Sequence, residues 1–449
     1  MRTRFLIICV LATSLCSHSA SAQSILDDYI AVGLKNNLTI AEKNLSLDKA
    51  MVNLDIARSM YLPTVSFDAV YSTANGGRMI ELPVGDLLNP VYQTLNQLTQ
   101  SQAFPLINNE RINFLPRNYY DARIRAGMPI INTDIKHNKH MNEQAVQMRE
   151  HEVEIYQREL VRDIKIAYYN YWSAEDGVKV YQNALDLAKE GKRVNEKLLE
   201  AGSGLPAYVV RADAEIAQGE AKLVEAEQQV ANARYYFNML LNRDAEEPIQ
   251  QQPTKVQNLT QQRGELQVEG REELEALSNQ INVQETMVKM NKQVFVPKLN
   301  AFVDVGSQAE NMRFNRESQY VMIGAQLTVP IFEGGRNKLK IRESQVAVAE
   351  AQQQRLRVQQ QLETSARVAN NEVTSTIRNY QNAKKQLEAA GTYQRLIQRG
   401  FNEGVNTYIE TIDARSQYTN AQLAENLALY KWMIAVAKLE RETASYTLD

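Results

Sequence analysis

Cysteine is almost missing from this chain of 449 residues: there are two, Cys9 and Cys16, both near the start. If that start is removed, disulfides, thiolate chemistry and cysteine-bound metals are excluded. There is no run of 18 apolar residues. A membrane-spanning helix is therefore excluded, and any passage through lipid has to use β-strands. Proline is absent from residue 130 to 205 and from 331 to 449, so nothing in either stretch breaks a helix interior. Histidine is scarce, with four in all. His137 and His140 share a helix face, but His151 lies about 16 Å further along. No cysteine or paired carboxylate completes a metal site there, and the three read as exposed polar residues. No Ser-His-Asp set, P-loop or phosphate cradle is found, so the sequence offers neither an enzyme's constellation nor a cofactor site. The formal net charge is −3, which does not suit a nucleic-acid binder.

The first residues form a secretory signal. Arg2 and Arg4 make a basic start, residues 5–15 an apolar core, and Ala20, Ser21 and Ala22 a cleavage site. Loss of the two arginines takes the charge from −3 to −5. Cys16 suggests a lipid-anchor site, but the bulky Leu15 before it argues for cleavage after Ala22.

The proline-free stretches carry coiled-coil seams. Leu160, Ile164, Ala167, Tyr171, Ala174, Val178, Tyr181, Leu185 and Ala188 follow steps of four and three, averaging 3.5. Ala366, Ala369, Val373, Ile377, Tyr380, Ala383, Leu387 and Ala390 repeat the pattern. These predict long helices over 136–200 and 337–400, the second about 95 Å long. Tips at 202–206 and 400–404 lead to return helices near 206–241 and 405–445. The second return seam carries Leu423, Leu427, Tyr430, Ile434 and Ala437. Tyr168, Tyr169, Tyr171 and Trp172 read as packing between helices. Residues 25–60 also read as a helix, with Ile30, Leu34, Leu38 and Ala41 on one face. Residues 272–295 read as another.

Four segments alternate as strands: 64–73, 120–128, 298–306 and 319–329. Each has one apolar face and one polar face. Residues 74–118 and 307–318 read as polar loops. Pro63, Pro129, Pro297 and Pro330 each fall at a strand–helix junction, where proline's missing N–H suits a boundary.

The order repeats. Met128 to Ile131 lines up with Val329 to Phe332, and Gly204, Tyr208, Asp213 and Ala214 with Gly404, Tyr408, Asp413 and Ala414. The extra length of the first half lies in the loop 74–118. The chain thus divides into a signal peptide (1–22), a first repeat (23–242), a linker (243–271) and a second repeat (272–449).

Strands of nine or ten residues suit a tilted membrane crossing. Four cannot close a barrel, and open edges do not occur in lipid. Several copies have to pool them. Two copies would make a barrel filled by side chains, whereas three give twelve strands and room for water, which suits the charged faces carrying Asp68, Asp121, Arg123, Arg125 and Asp304.

The repeated order of strand, proline, long helix, glycine-containing tip and return helix resembles the TolC family of outer-membrane efflux and secretion channels across the whole mature chain. The resemblance implies a mainly helical fold with membrane β-strands: a trimeric twelve-stranded β-barrel in the outer membrane, continued by an α-helical barrel in the periplasm. It also implies a belt that includes 243–270 and the C-terminus, and docking to a periplasmic adaptor and an inner-membrane transporter.

Glu410 and Asp413 lie three apart on one helix face past the second tip. Three copies would set six carboxylates around the periplasmic mouth and attract cations. The alternative is an ordinary solvated face. The first half keeps Asp213 but has Val210 opposite Glu410. The family's gate also uses a tyrosine and an arginine bonded between hairpins; Phe401 and Asn406 stand there, and neither can serve alike. The tips Gly204 and Leu205, and Gly404 and Val405, match the family's adaptor-contact grooves, though glycine also simply permits a turn. Two competing readings stay open at this point. A periplasmic coiled-coil adaptor or scaffold explains the helices but not the strands, and a periplasmic enzyme lacks a site. Mass spectrometry of the exported protein should find Gln23 as its first residue and no thiol.

Overall fold

The computed structural model describes residues 25–115, 117–251 and 268–448. The signal peptide with its Cys16, and most of the linker expected at 243–271, lie outside the described residues. The order of elements is α1 (Ile25–Asn36), α2 (Leu38–Ser59), β1 (Thr64–Ser72), β2 (Met79–Leu82), α3 (Val84–Leu98), β3 (Glu110–Asn113), β4 (Tyr119–Ile131), α4 (Thr133–Glu200), α5 (Pro206–Leu240), α6 (Glu272–Lys292), β5 (Lys298–Ala309), β6 (Gln319–Thr328), α7 (Arg336–Asn402) and α8 (Tyr408–Glu442). The chain divides into two compact units. One holds the described residues of Met1–Asp48, Gln147–Ser278 and Gln352–Asp449; the other holds Lys49–Val146 and Asn279–Ala351.

The second of these contains an antiparallel sheet in the order β1-β4-β5-β6. Its register aligns one apolar row across all four strands: Phe67 with Ile124, Ile124 with Val305, and Val305 with Val321. The next row holds Ser66, Arg125, Asp304 and Met322. Side chains alternate along a strand, so the apolar and charged sets occupy opposite faces. On the charged face Arg125 grips Asp304 through two bonds of 2.7 Å and lies over the Phe302 ring at 4.7 Å. A Cβ at Gly324 would sit 2.5 Å from that ring, so glycine leaves the space it fills. The apolar face is open to solvent: Phe67 is 70% exposed and Ile323 78%.

Three expectations need correction here. Pro129 does not end its strand. β4 continues to Ile131 through a register shift between Pro129 and Ile131, an irregularity that accommodates a residue with no N–H to donate. The stretch 74–118 is not only a polar loop. It carries the antiparallel β2–β3 pair and, between these strands, the fifteen-residue α3. The helix expected over 25–60 is broken at Asn37, whose Oδ1 accepts from the backbone N–H groups of Thr39 and Ile40 at 2.9 and 3.3 Å. Its Nδ2 donates to the Leu240 carbonyl at 3.0 Å. The break turns the buried face, so that Ile40 is buried while Leu38 is 68% exposed and Ala41 is also exposed.

The other unit is helical. Its core joins Leu26, Ile30 and Ile40 to Leu160, Ile164, Ala167, Tyr168 and Tyr171 of α4 and to Phe237 and Leu241. Tyr169 and Trp172 pack against this cluster. Ala366, Ala369 and Ala383 of the second seam are buried, and Trp432 of α8 stacks on Tyr380 of α7 at 5.9 Å. Leu427, expected on the return seam, is exposed instead.

Where α6 begins and α8 ends, charges are buried together. Arg271 bonds Glu273 at 2.6 Å and Glu442 at 3.1 Å, and Arg441 bonds Glu273 at 2.7 Å. Arg158 pairs with Glu272 at 2.6 Å and donates to the Ala444 and Tyr446 carbonyls. Burial alone would raise the Glu273 pKa, but its bonds to Arg271 and Arg441 win and hold it at about 2. The folded value lies below the ordinary 4.5, so this carboxylate stabilises the fold above pH 4.5 and the contribution fades as pH falls towards 2. Glu273→Gln should cost about 3 kcal/mol at neutral pH, because it strands buried cations. Thermal melts followed by circular dichroism should show the gap to wild type closing in acid.

Candidate functional site: the helical hairpin tips

The tips expected to carry function belong to the helical unit. At the first, the turn is made by Gly202 at φ +75°. Gly204 is needed for a different reason: a Cβ there would lie 2.5 Å from the Leu199 backbone nitrogen. Leu205 caps α5 with an extended backbone and is exposed, and Pro206 opens the helix. At the second tip Gly404 makes the turn at φ +79°, and Val405 N–H closes it on the Gly400 carbonyl at 2.8 Å. Val405 is also exposed.

Thr407 and Glu410 form a capping box at the start of α8. The Glu410 carboxylate accepts from the Thr407 N–H at 2.6 Å, the Thr407 hydroxyl at 3.0 Å and Asn406 Nδ2 at 3.3 Å. Those bonds, the backbone one foremost, hold its pKa below the usual carboxylate range. Glu410 is thus charged and exposed, but folded back on its own helix. Asp413 is exposed and accepts only from Gln417, at 2.7 Å; it pairs with no cation among the described residues. Asp213 differs, because Lys192 neutralises it at 2.7 Å. Phe401 packs its ring 6.1 Å from that of Tyr408. The three carboxylates therefore stand in three electrostatic states, although all three are exposed.

Arg415, which the seam pattern does not single out, joins three elements near the tips. It is buried in α8, and its Nη1 donates to the Leu187 carbonyl of α4 at 2.6 Å. Its Nη2 donates to Glu215 of α5 at 2.9 Å and reaches the Tyr408 hydroxyl at 3.5 Å. One side chain thus ties the second return helix to both helices of the first hairpin. Gly191 makes the room, since a Cβ there would lie 2.7 Å from Arg415 Nη1. Burial raises the Glu215 pKa, with the nearby Arg415 and Arg211 pulling the other way. The joined residues are repeat-equivalent. Glu215 and Arg415 stand 200 positions apart, as do Tyr208 and Tyr408, whose rings meet at 5.6 Å. A sequence signal existed: opposite charges at one repeat position, two residues beyond the matched aspartates.

A sequence profile described as "outer membrane efflux protein" matches residues 30–242 and 266–444. The chain belongs to the outer membrane efflux protein family. The two matched segments correspond to the two repeats of this efflux-family chain, and membership places it in the outer membrane. The alkaline protease secretion protein AprF of Pseudomonas aeruginosa is 22% identical over 284 residues. That alignment spans 59% of this chain and 59% of the length of AprF. Among solved structures, the outer-membrane channel OprN superposes with a TM-score of 0.73 at 16% identity, over 93% of this chain and 89% of that one. The outer membrane protein VceC of Vibrio cholerae gives a TM-score of 0.72 at 15% identity, over 93% and 95%. These likenesses establish the fold: mainly helical, with a membrane-type sheet.

Gly191→Ala should cost about 1–3 kcal/mol by forcing the Arg415 guanidinium aside. Glu410→Ala should lower the melting temperature slightly through the lost cap. Melting of the detergent-solubilised protein checks both.

Proposed function

We propose that three copies of this chain form a passive exit duct across the outer membrane and periplasm. It would serve a tripartite efflux or type I secretion system and perform no chemistry of its own. Energy and substrate choice come from an inner-membrane transporter, joined through a periplasmic adaptor. The observation that carries this reading is the sheet edge. β1 pairs only with β4 and β6 only with β5 among the described residues, and unpaired strand edges are not tolerated in lipid. Pairing β6 of one copy with β1 of the next closes a ring of twelve strands from three copies. The apolar row then faces lipid, and Asp68, Asp121, Arg123, Arg125 and Asp304 face a wet lumen. A periplasmic scaffold would have no use for such a sheet.

At the mouth, Asp413 is the carboxylate free to act on passing ions, with Glu410 adding charge from its cap and Asp213 neutralised by Lys192. The exposed pairs Gly204 and Leu205, and Gly404 and Val405, serve as adaptor contacts. Phe401 and Asn406 do not supply a bond between hairpins, and Arg415 takes over that task. Its partner Glu215 has a raised pKa, so it takes up a proton in milder acid than an ordinary glutamate and the link loosens there.

The purified protein should run as a heat-dissociable trimer and conduct in planar bilayers. A freely soluble monomer without channel activity overturns the reading. The channel should favour cations, and Asp413→Ala should move its reversal potential towards zero, further with Glu410→Ala added. Arg415→Ala should raise conductance at neutral pH, and wild-type conductance should rise as pH falls through the Glu215 pKa.

A further inference from the structure

The insertion between β1 and β4 is a built piece. Asn89 and Ile107 exchange two hydrogen bonds, each of 2.9 Å, and Asn96 and Phe104 exchange two, of 2.7 and 3.0 Å. Asp86 and Asn109 do the same at 3.2 and 3.0 Å. A Cβ at Gly85 would lie 2.5 Å from the Ile107 carbonyl oxygen. One flank of α3 is thus stitched to the segment 104–109. Another flank carries Leu87, Val91 and Leu98, four and seven residues apart on one stripe. Leu87 is 70% exposed and Leu98 77%. A stripe held this firmly and left bare calls for an occupant.

Lipid fits poorly. A helix lying in a membrane surface is held by Lys and Arg on its polar face, and residues 79–110 contain neither. The topology supplies a better candidate. β1 runs from the helix-bearing end of the sheet to the far end, where the insertion leaves it. β6 begins at that far end, directly after the turn 310–318. Met312 and Phe314 on this turn are exposed, Phe314 by 69% even though it packs on Tyr120. Within one copy, β1 and β6 are three strand spacings apart, roughly 14 Å. Where β6 of a second copy pairs with β1, the partner turn lies one spacing away, about 5 Å. We infer that the apolar stripe of α3 docks on the β5–β6 turn of the adjacent copy, so that each copy clasps the next at the cell-surface end. This rests on the trimeric duct proposed above. The contact is head-to-tail and closes when the ring of copies closes.

The absence of cysteine from the chain after residue 16 provides the test. Leu98→Cys with one affinity tag and Phe314→Cys with another are co-expressed and treated with a short bismaleimide. A cross-linked product carrying both tags, several-fold above that from either variant alone, is expected. Met312→Cys replaces Phe314→Cys if the latter does not fold. Leu87→Asp with Val91→Asp should lower the temperature at which the trimer dissociates on a gel. An intact trimer with no mixed product, or Leu98→Cys chains that join only each other, overturns the clasp and leaves the duct standing. A wild-type protein that never forms a trimer removes the duct, and the clasp with it.

Discussion

The sheet answers to the backbone hydrogen bonds at the free edges of β1 and β6. A strand edge in water is satisfied by solvent; in hydrocarbon it is not, and each orphaned group costs several kcal/mol. Four strands of nine to thirteen residues have no geometry in which they satisfy themselves. In the proposed trimer, pairing between copies satisfies them. In that proposal the apolar row through Phe67, Ile124, Val305 and Val321 is the lipid-facing surface, with the Arg125–Asp304 pair on the other face.

The helical unit answers a different demand. Its seams bury small and aromatic side chains along one narrow stripe, with alanine at 366, 369 and 383 and bulk supplied by Tyr168, Tyr171 and Trp432. Narrow stripes leave little apolar area per residue, and specificity falls to a few buried polar joints. Asn37 fixes the α1–α2 break to the end of α5. The Arg271, Glu273 and Arg441 set fixes the start of α6 to the end of α8. Arg415 fixes one hairpin to the other. Each such joint is costly to bury and costlier to break, so each specifies one arrangement of helices that hydrophobic contact alone would let slide.

Much of this was legible in the residue order. The 3.5-residue period marks helices without tertiary information, three of the four junction prolines (Pro63, Pro297 and Pro330) mark strand ends, and the two-residue alternation marks strand faces. What escaped has two causes: local side-chain and backbone effects that periodicity does not report, and long-range partners. Asn37 breaks a helix because its side chain competes for backbone N–H groups, and no periodicity reports that. α3 was hidden because Pro90 lies inside it and Gly85 at its first turn. Pro129 reads as a stop because a sheet irregularity is invisible without the opposite strand. At the tips, the spacing of Glu410 and Asp413 was legible but their inequality was not, since it turns on whether a neighbour claims the carboxylate. Arg415 was hidden by its type: an arginine beside a seam reads as solvated until its carbonyl and carboxylate partners are seen.

The two halves of the chain repeat one order of elements, yet at one point of contact they have ceased to be alike. At one shared position the first half carries Glu215 and the second Arg415, and these meet at 2.9 Å. A chain assembled from two first halves would press acid against acid there, and one from two second halves base against base. At this contact neither half can stand in for the other: the repeat is one of shape, and the charges that join its two parts are not interchangeable.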